Sequence, residues 1–212
     1  MKKVAILIDG EWFRRCLESA LGKLPQGVTA DVMYRNCLLA VDKKEEELFR
    51  IFYYDCPPYG GRHTNPIDKS VSDFKTQKKF ASRSLFISEM KTKDYVAMRM
   101  GIAKNRGWTL TNDYTIQAIT NNSIVKPPTA KDVFLSREQK GVDMRIGIDV
   151  ATLSLKRIVE RIILISGDTD MIPAMKLARR EGVQVILVQV HKRLSKFLDE
   201  DADLVRVIKP TP

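Results

Sequence analysis

The sequence predicts an α/β protein with a mainly parallel central sheet. Strands that alternate with helices along a chain are typical of such a sheet. Four apolar runs have the β-branched character of buried parallel strands: KVAILI (3–8), LFRIFYY (48–54), RIILI (161–165) and VQVILVQV (183–190). Helical patterns are found around and between them, at 11–21, 30–40, 141–158 and 171–182. A last run, DLVRVI (203–208), is expected to form an edge strand.

The middle of the chain has a different pattern and is expected to be a basic helical and loop insertion, at about 57–135, within a single domain. The segment CPPYGGRHTNP (56–66) is a turn-rich loop. Residues 68–106 hold many Lys and Arg among apolar positions, which predicts one or two amphipathic helices. Residues 107–139 alternate in polarity, which predicts a hairpin or extra edge strands.

Composition favours a cytoplasmic protein. The chain has 212 residues, 44% of them hydrophobic, and no apolar run approaches the length of a membrane span. The N-terminal apolar stretch reaches Asp9 after five residues, which is too short for a signal peptide and suits a buried strand. Three cysteines (Cys16, Cys37 and Cys56) match no zinc or disulfide pattern and are expected to be small buried side chains in a reducing compartment.

The net charge of +10 favours a polyanionic partner, of which nucleic acid is the commonest. Acidic residues nevertheless stand at predicted strand ends. Asp9 follows the first predicted strand, and Asp168 and Asp170, in SGDTD, follow the third. In open parallel sheets, ligands bind at the carboxyl ends of strands near the topological switch point. If the first and third strands are neighbours, these acids converge at one edge of the sheet.

Further acids lie near the same predicted edge. Asp143 stands at the predicted start of a helix and can point into the same crevice, whereas Asp149 lies about 120° further round that helix and is expected to have a supporting role. Glu11 is a further candidate ligand or base. Crowded carboxylates cannot all stay ionised without compensation, and a hard cation such as Mg²⁺ would supply it. Such a site can activate water for an in-line phosphoryl displacement.

The same segments resemble a known family. VAILIDGEW, FYYDCPP, KGVDMRIGIDV and ILISGDTDMIPAMKLARREGVQVILV are similar to motifs of the NYN domain, in particular its LabA-like bacterial branch, within the PIN-like nuclease superfamily. The resemblance implies a three-layer α/β/α sandwich, an acidic cluster that binds Mg²⁺ or Mn²⁺, and cleavage of RNA. It assigns the catalytic and metal-binding roles to four acids: Asp9, Asp143, Asp168 and Asp170.

The resemblance also marks supporting positions and one departure. Asp149 matches the second acid of the central helix, and the hydroxyls of Ser166 and Thr169 stand beside the acidic pair, where either could instead cap the following helix. After the first Asp-Gly, the family usually has a small polar residue and then Asn. This chain has Glu11 and Trp12 there.

The leading hypothesis is a metal-dependent endoribonuclease that acts on single-stranded RNA. Residues near the acids could contact the substrate: Trp12, Arg14, Arg15, Arg137 and Lys140. A basic helix could extend the electrostatic track, with Lys75, Lys78, Lys79 and Arg83. Tyr59 could stack on an unpaired base, and both histidines, His63 and His191, are expected at the surface.

Two alternatives stay open at this point. The first is a non-catalytic or weakly active RNA-binding regulatory module of the same fold, which the departure at Glu11 and Trp12 motivates. The second is a phosphatase of the haloacid dehalogenase type, because GDTD resembles that family's metal acids. Such an enzyme needs a second Asp where this chain has Glu11. As for partners, the chain could form a homodimer, and no membrane partner is expected.

Overall fold

The computed structural model describes residues 1–22, 24, 27–120, 126–190 and 196–212. His191 lies outside the described residues. The strands are β1 (Lys2–Asp9), β2 (Glu46–Asp55), β3 (Arg62–Thr64), β4 (Val71–Asp73), β5 (Val96–Met100), β6 (Ile102–Leu110), β7 (Val133–Lys140), β8 (Arg161–Ile165), β9 (Gln184–Gln189) and β10 (Leu204–Val207). The α-helices are α1 (Gly10–Leu21), α2 (Ala30–Leu38), α3 (Lys78–Lys91), α4 (Asn112–Thr120), α5 (Val142–Leu155), α6 (Ile172–Arg180) and α7 (Lys196–Glu200).

A six-stranded parallel sheet, in the order β10-β9-β8-β1-β2-β5, forms the centre of the fold and is flanked by helices. The predicted α/β class and parallel sheet are confirmed. Strand β1 pairs with β2 on one side and with β8 on the other, so the predicted adjacency of the first strand and the RIILI strand is also confirmed. The chain order reverses beside β1, which therefore marks the switch point of the sheet.

The central strands are buried on both faces, which explains why their sequences are near-continuous apolar runs. Every residue of β8 is buried, as are Val4–Ile8 of β1. The buried charged side chains Glu46 and Arg161 are hydrogen-bonded to each other. The Glu46 carboxylate is fully buried at the start of β2, and it accepts hydrogen bonds from Arg161 and Arg206 at 2.9–3.0 Å. Glu46 and Arg161 are the first residues of β2 and β8, at the opposite end of these strands from Asp55 and the SGDTD turn.

The prediction of amphipathic helices over 68–106 was only partly right. Helix α3 lies there, but Val96–Met100 forms an edge strand of the main sheet and Ile102–Leu110 forms β6. All five residues of β5 are half-buried, so the strand has neither the apolar run of the central strands nor a clear alternation. In 107–139, the extra strand pairing is confirmed as the antiparallel β6–β7 pair, whereas α4 was not predicted.

The chain divides into two compact units. The sheet unit comprises residues 1–56, 85–101 and 141–212, and the basic unit comprises residues 57–84 and 102–140. The basic unit contains two antiparallel pairs, β3–β4 and β6–β7. That the whole chain is one domain with an insertion at 57–135 stays a prediction. None of the described helices is both long and apolar enough to cross a bilayer.

Candidate acidic site

Asp9 is the last residue of the central strand β1 and the N-cap of α1. Its Oδ1 accepts a hydrogen bond from the backbone N–H of Trp12 at 3.0 Å, which fixes the carboxylate where strand turns into helix. Burial raises the pKa of Asp9 to about 6, against the lowering effect of the bond from Trp12. Three neighbouring carboxylates raise this pKa further: Asp143, Asp55 and Glu11.

The SGDTD turn follows β8, the neighbour of β1. The buried Ser166 Oγ accepts a hydrogen bond from the N–H of Asp168 at 3.2 Å. The Asp168 Oδ1 in turn accepts from the N–H of Asp170 at 2.9 Å and caps a short 3₁₀ helix, Thr169–Met171, ahead of α6. One acid of the pair is therefore the cap, and Asp170 stays exposed beside it.

Asp143 lies in the first turn of α5, after Gly141, whose φ of 78° begins the helix from a left-handed conformation. Partial desolvation raises the pKa of Asp143, and the charges of Asp168 and Asp170 raise it further. Asp143 also acts on the pKa of Asp9. Electrostatic coupling therefore links all four predicted acids, although the sequence places them on three different elements.

Asp55, at the carboxyl end of β2, is a buried acid beside this group that the site prediction missed. It accepts hydrogen bonds from the Tyr53 hydroxyl at 2.8 Å and from the N–H of Cys56 at 2.7 Å. A Cβ on Gly10 would collide with the Tyr53 ring and lie 2.8 Å from the Asp55 Oδ2, so only glycine fits there. The strand-end rule that identified Asp9 could also have found Asp55.

Trp12 packs against the SGDTD turn. A Cβ built on Gly167 would lie well inside contact distance of the indole, with Cζ2 at 2.9 Å. The half-buried Trp12 side chain also packs on the hydrophobic core. Glycine at 167 therefore lets the indole occupy the space beside the acid-bearing turn.

Asp149 is held by partners other than the four acids. Its Oδ2 accepts hydrogen bonds from the Tyr54 hydroxyl at 2.7 Å and from the Arg99 Nε at 2.9 Å. Burial raises the pKa of Tyr54, and the bond to Asp149 raises it further. The predicted partial burial of Asp149 is confirmed, since its side chain is 19% exposed, whereas the difference in direction between Asp143 and Asp149 stays a prediction. Arg99 was missed because its strand, β5, was predicted as helix.

The basic residues of α1 are engaged in pairs along the helix. Arg15 is exposed and forms an ion pair with Glu11, and Arg14 donates to Glu18 at 2.9 Å. The Arg14 Nε is buried without a hydrogen-bond partner. Glu11 is therefore held by Arg15 while its charge acts on the pKa of Asp9.

The two remaining predicted substrate contacts, Arg137 and Lys140, lie on β7 in the basic unit. Arg137 is exposed, and its guanidinium carbon lies 5.1 Å from the centroid of the Phe74 ring. Lys140 is half-buried at the end of the strand.

The acids suit a hard cation by their chemistry. Carboxylate oxygens are the ligands that Mg²⁺ and Mn²⁺ prefer. Burial, and after it the charges of neighbouring carboxylates, raise the pKa of Asp9 and Asp143, and a bound cation would stabilise their charged forms. Across the part of the chain that the structure describes, no three or more His, Cys, Asp or Glu side chains are already grouped as a metal site. The carboxylates are therefore suitable ligands for a hard cation by their chemistry, but the described residues do not form a complete coordination shell.

Comparisons with other proteins agree with this fold and with the family that the sequence motifs resemble. A solved protein of unknown function from Vibrio parahaemolyticus, VPA0982, has the same fold, with a TM-score of 0.51 at 16% identity over 98% of this chain and 93% of that one. The uncharacterized protein y4oD of Sinorhizobium fredii is 37% identical over 54 residues, which is 26% of this chain and 25% of that protein. The chain therefore spans about a quarter of that relative. The NYN domain profile matches residues 74–208, well over half of the chain, which therefore belongs to the NYN family, within the PIN-like nuclease superfamily.

Proposed function

We propose that this protein is a metal-dependent endoribonuclease that cleaves single-stranded RNA. One observation carries the proposal: in a chain of the NYN family, Asp9 and the SGDTD turn follow neighbouring strands at the switch point of the sheet, and the pKa of Asp143 responds to the charges of Asp168 and Asp170. Ionised acids in such an arrangement repel each other, and a bound cation offsets this repulsion. Acidic groups of this kind are therefore typical of functional sites. We also propose the LabA-like branch as the chain's place within the family.

The four acids would hold the cation, Mg²⁺ or Mn²⁺. When bound, it would supply charge compensation and an activated water for attack on phosphorus. The chain's own contribution is placement. Each of two carboxylates uses one oxygen to cap a helix, Asp9 through Trp12 and Asp168 through Asp170, which leaves the second oxygen for the site.

The remaining residues have supporting roles in this proposal. Ser166 sets the turn that orients Asp168, and Thr169 lies exposed beside it. Glu11 and Asp149 adjust the surroundings of the acids through their pairs with Arg15 and Arg99. In the sheet unit, substrate phosphates would meet Arg14 and Arg15 of α1. In the basic unit, Arg137 and Lys140 of β7 are the proposed phosphate contacts.

The test is cleavage of a mixed RNA pool by the purified chain, with cut sites mapped in Mg²⁺, Mn²⁺ or EDTA. Asp168→Asn keeps a capping side chain and removes the charge, so we expect cleavage to fall by about 100-fold or more while the protein stays folded. Glu89→Gln, an exposed acid on α3, is the matched control and should cut like wild type. Equal RNA loss with Asp168→Asn would assign the activity to a contaminant and reject the proposal.

A second candidate is an RNA-binding module without cleavage. The Trp12 indole that packs against Gly167 favours it, because the family's usual Asn is missing where the substrate would be positioned. Metal-independent RNA binding, combined with no metal-dependent cut in the same pool, would favour this candidate over the nuclease.

We further propose that the protein works in the cytoplasm and forms a homodimer. Cys37 and Cys56 are buried, as expected of small side chains in a reducing compartment. Light scattering of the purified chain at several concentrations tests the dimer, and a constant monomer mass would reject it.

A further inference from the structure

The positive charge of the chain is concentrated in the basic unit. This unit carries twelve Lys and Arg against five Asp and Glu, and so holds seven of the ten net positive charges. The sheet unit, more than two thirds of the chain, holds the other three. A charge excess of this kind, outside the unit that bears the acids, is the footprint of a polyanion rather than of an apolar protein partner.

An aromatic cluster lies within the basic unit. The ring of Tyr59 is 5.6 Å from that of His63 and 6.0 Å from that of Phe74, and the rings of His63 and Phe74 are 6.1 Å apart. The Tyr59 hydroxyl and the His63 Nε2 share a hydrogen bond of 2.6 Å. The Phe74 N–H donates to the carbonyl of Gly61 at 3.0 Å, which extends the β3–β4 pairing and holds the rings together.

Cations lie next to these rings. The guanidinium of Arg137 stacks over Phe74 at 5.1 Å and is exposed. Gly60 allows a close approach of the Lys75 stem, because a Cβ there would lie 2.7 Å from the Lys75 Cγ. The Lys75 side chain is therefore held against the loop that carries Tyr59, and Lys75 is itself exposed.

The cluster is not a hydrophobic core. Tyr59, His63 and Phe74 each keep part of their surface exposed. Among the described residues of the basic unit, Leu135 is the only buried apolar side chain. Half-exposed rings interleaved with cations are the arrangement that proteins use to bind single-stranded nucleic acid, since bases stack on the rings and phosphates meet the charges.

We propose that Tyr59, His63, Phe74 and Arg137 form a stacking platform for unpaired bases of single-stranded RNA, beside Lys75, which meets the phosphates. This proposal takes the identity of the polyanion from the proposed function. The platform itself requires only a polymer that has both bases and phosphates, and it does not depend on cleavage.

The experiment measures binding of the full chain to a fluorescein-labelled oligouridylate in EDTA, with Asp168→Asn in every protein so that nothing is cut. Heparin, a polyanion without bases, is the second probe. We expect Phe74→Leu to weaken oligouridylate binding by about 5- to 100-fold and to leave heparin binding unchanged. Arg137→Lys, which keeps the charge but loses the planar group, should also weaken only oligouridylate binding.

The matched control is Arg180→Gln, an exposed arginine at the end of α6, against Arg137→Gln. Both variants remove one charge, but only Arg137→Gln should weaken oligouridylate binding several-fold. Arg137 is exposed, so its variants test the platform even if Phe74→Leu does not fold. Equal losses for heparin and oligouridylate, unchanged affinity in all Arg137 variants, or no oligouridylate binding by the folded parent protein would each overturn the proposal. Platform-dependent binding without cleavage in the metal assay would reject only the nuclease.

Discussion

The sheet unit and the basic unit use their side chains in opposite ways. In the sheet unit, central strands are buried on both faces, and even the carboxylates of Glu46 and Asp55 are buried with hydrogen-bond partners. In the basic unit, the strands are short or half-exposed, and Leu135 is the only described apolar side chain that is buried. A rigid frame is what a few mutually repelling acids need, whereas exposed charges and rings suit a flexible polymer.

Among the substitutions considered, Gly167→Ala in the sheet unit should have the largest effect on cleavage and stability, because the Trp12 indole lies close to the Gly167 backbone. The Cβ of Gly167→Ala would collide with Trp12, whose side chain is packed on the core, so either the indole or the acid-bearing turn must move. We expect cleavage to fall by about 100-fold, because a displacement of this kind misplaces Asp168, and stability to fall by about 1–3 kcal/mol. Thermal melts and cleavage assays of the purified variant measure both effects.

A double variant and a second glycine control this prediction. Trp12→Leu in the Gly167→Ala background removes the colliding ring and should restore most of the lost stability. Gly147→Ala, in α5, would place its Cβ in open space and should stabilise the protein by about 0.5–1 kcal/mol. If Gly167→Ala melts like wild type, the close approach does not constrain the turn.

The next effect concerns the buried charge of Asp9. Its pKa of about 6 lies above the ordinary value of 3.8, so between these values the folded protein keeps a proton that the unfolded chain has lost. Stability therefore decreases as pH rises from about 4 to about 6. Asp9→Asn keeps the cap and removes the charge, so in EDTA the variant should be more stable than wild type by roughly 2 kcal/mol at pH 7 and by little at pH 4.

Added Mg²⁺ should narrow this difference. The cation compensates the acids of wild type, whose melting temperature should rise, and it should change the melting temperature of Asp9→Asn less. If wild type and Asp9→Asn differ in stability by the same amount at pH 4 and pH 7, burial does not disfavour the Asp9 charge. The acids would then cost the folded protein less free energy than we infer.

The two units also differed in how far the sequence could predict them. Long apolar runs predict β1 and β8, and the strand-end rule then predicts that Asp9 lies near Asp168. The same rule applies to Asp55, which ends β2, but the resemblance to the family assigns no role to this residue. Strand β5 could not be found in this way, because all five of its residues are half-buried and do not alternate, and helix α4 could not, because none of its residues is buried.

The smallest effect is expected from an exposed ion pair of the basic unit. The hydrogen bond with Arg106 lowers the pKa of Glu138, yet the two side chains are 52% and 43% exposed. Water and salt screen such a pair, so Arg106→Gln should leave the melting temperature unchanged at low and at high salt while the pKa of Glu138, measured by NMR, rises towards its ordinary value. A clear fall in melting temperature at low salt would mean that this unit depends on its surface charges for folding. If the melting temperature does not fall, this exposed ion pair contributes little to stability. The basic side chains of the unit would then be free to serve a polyanionic partner.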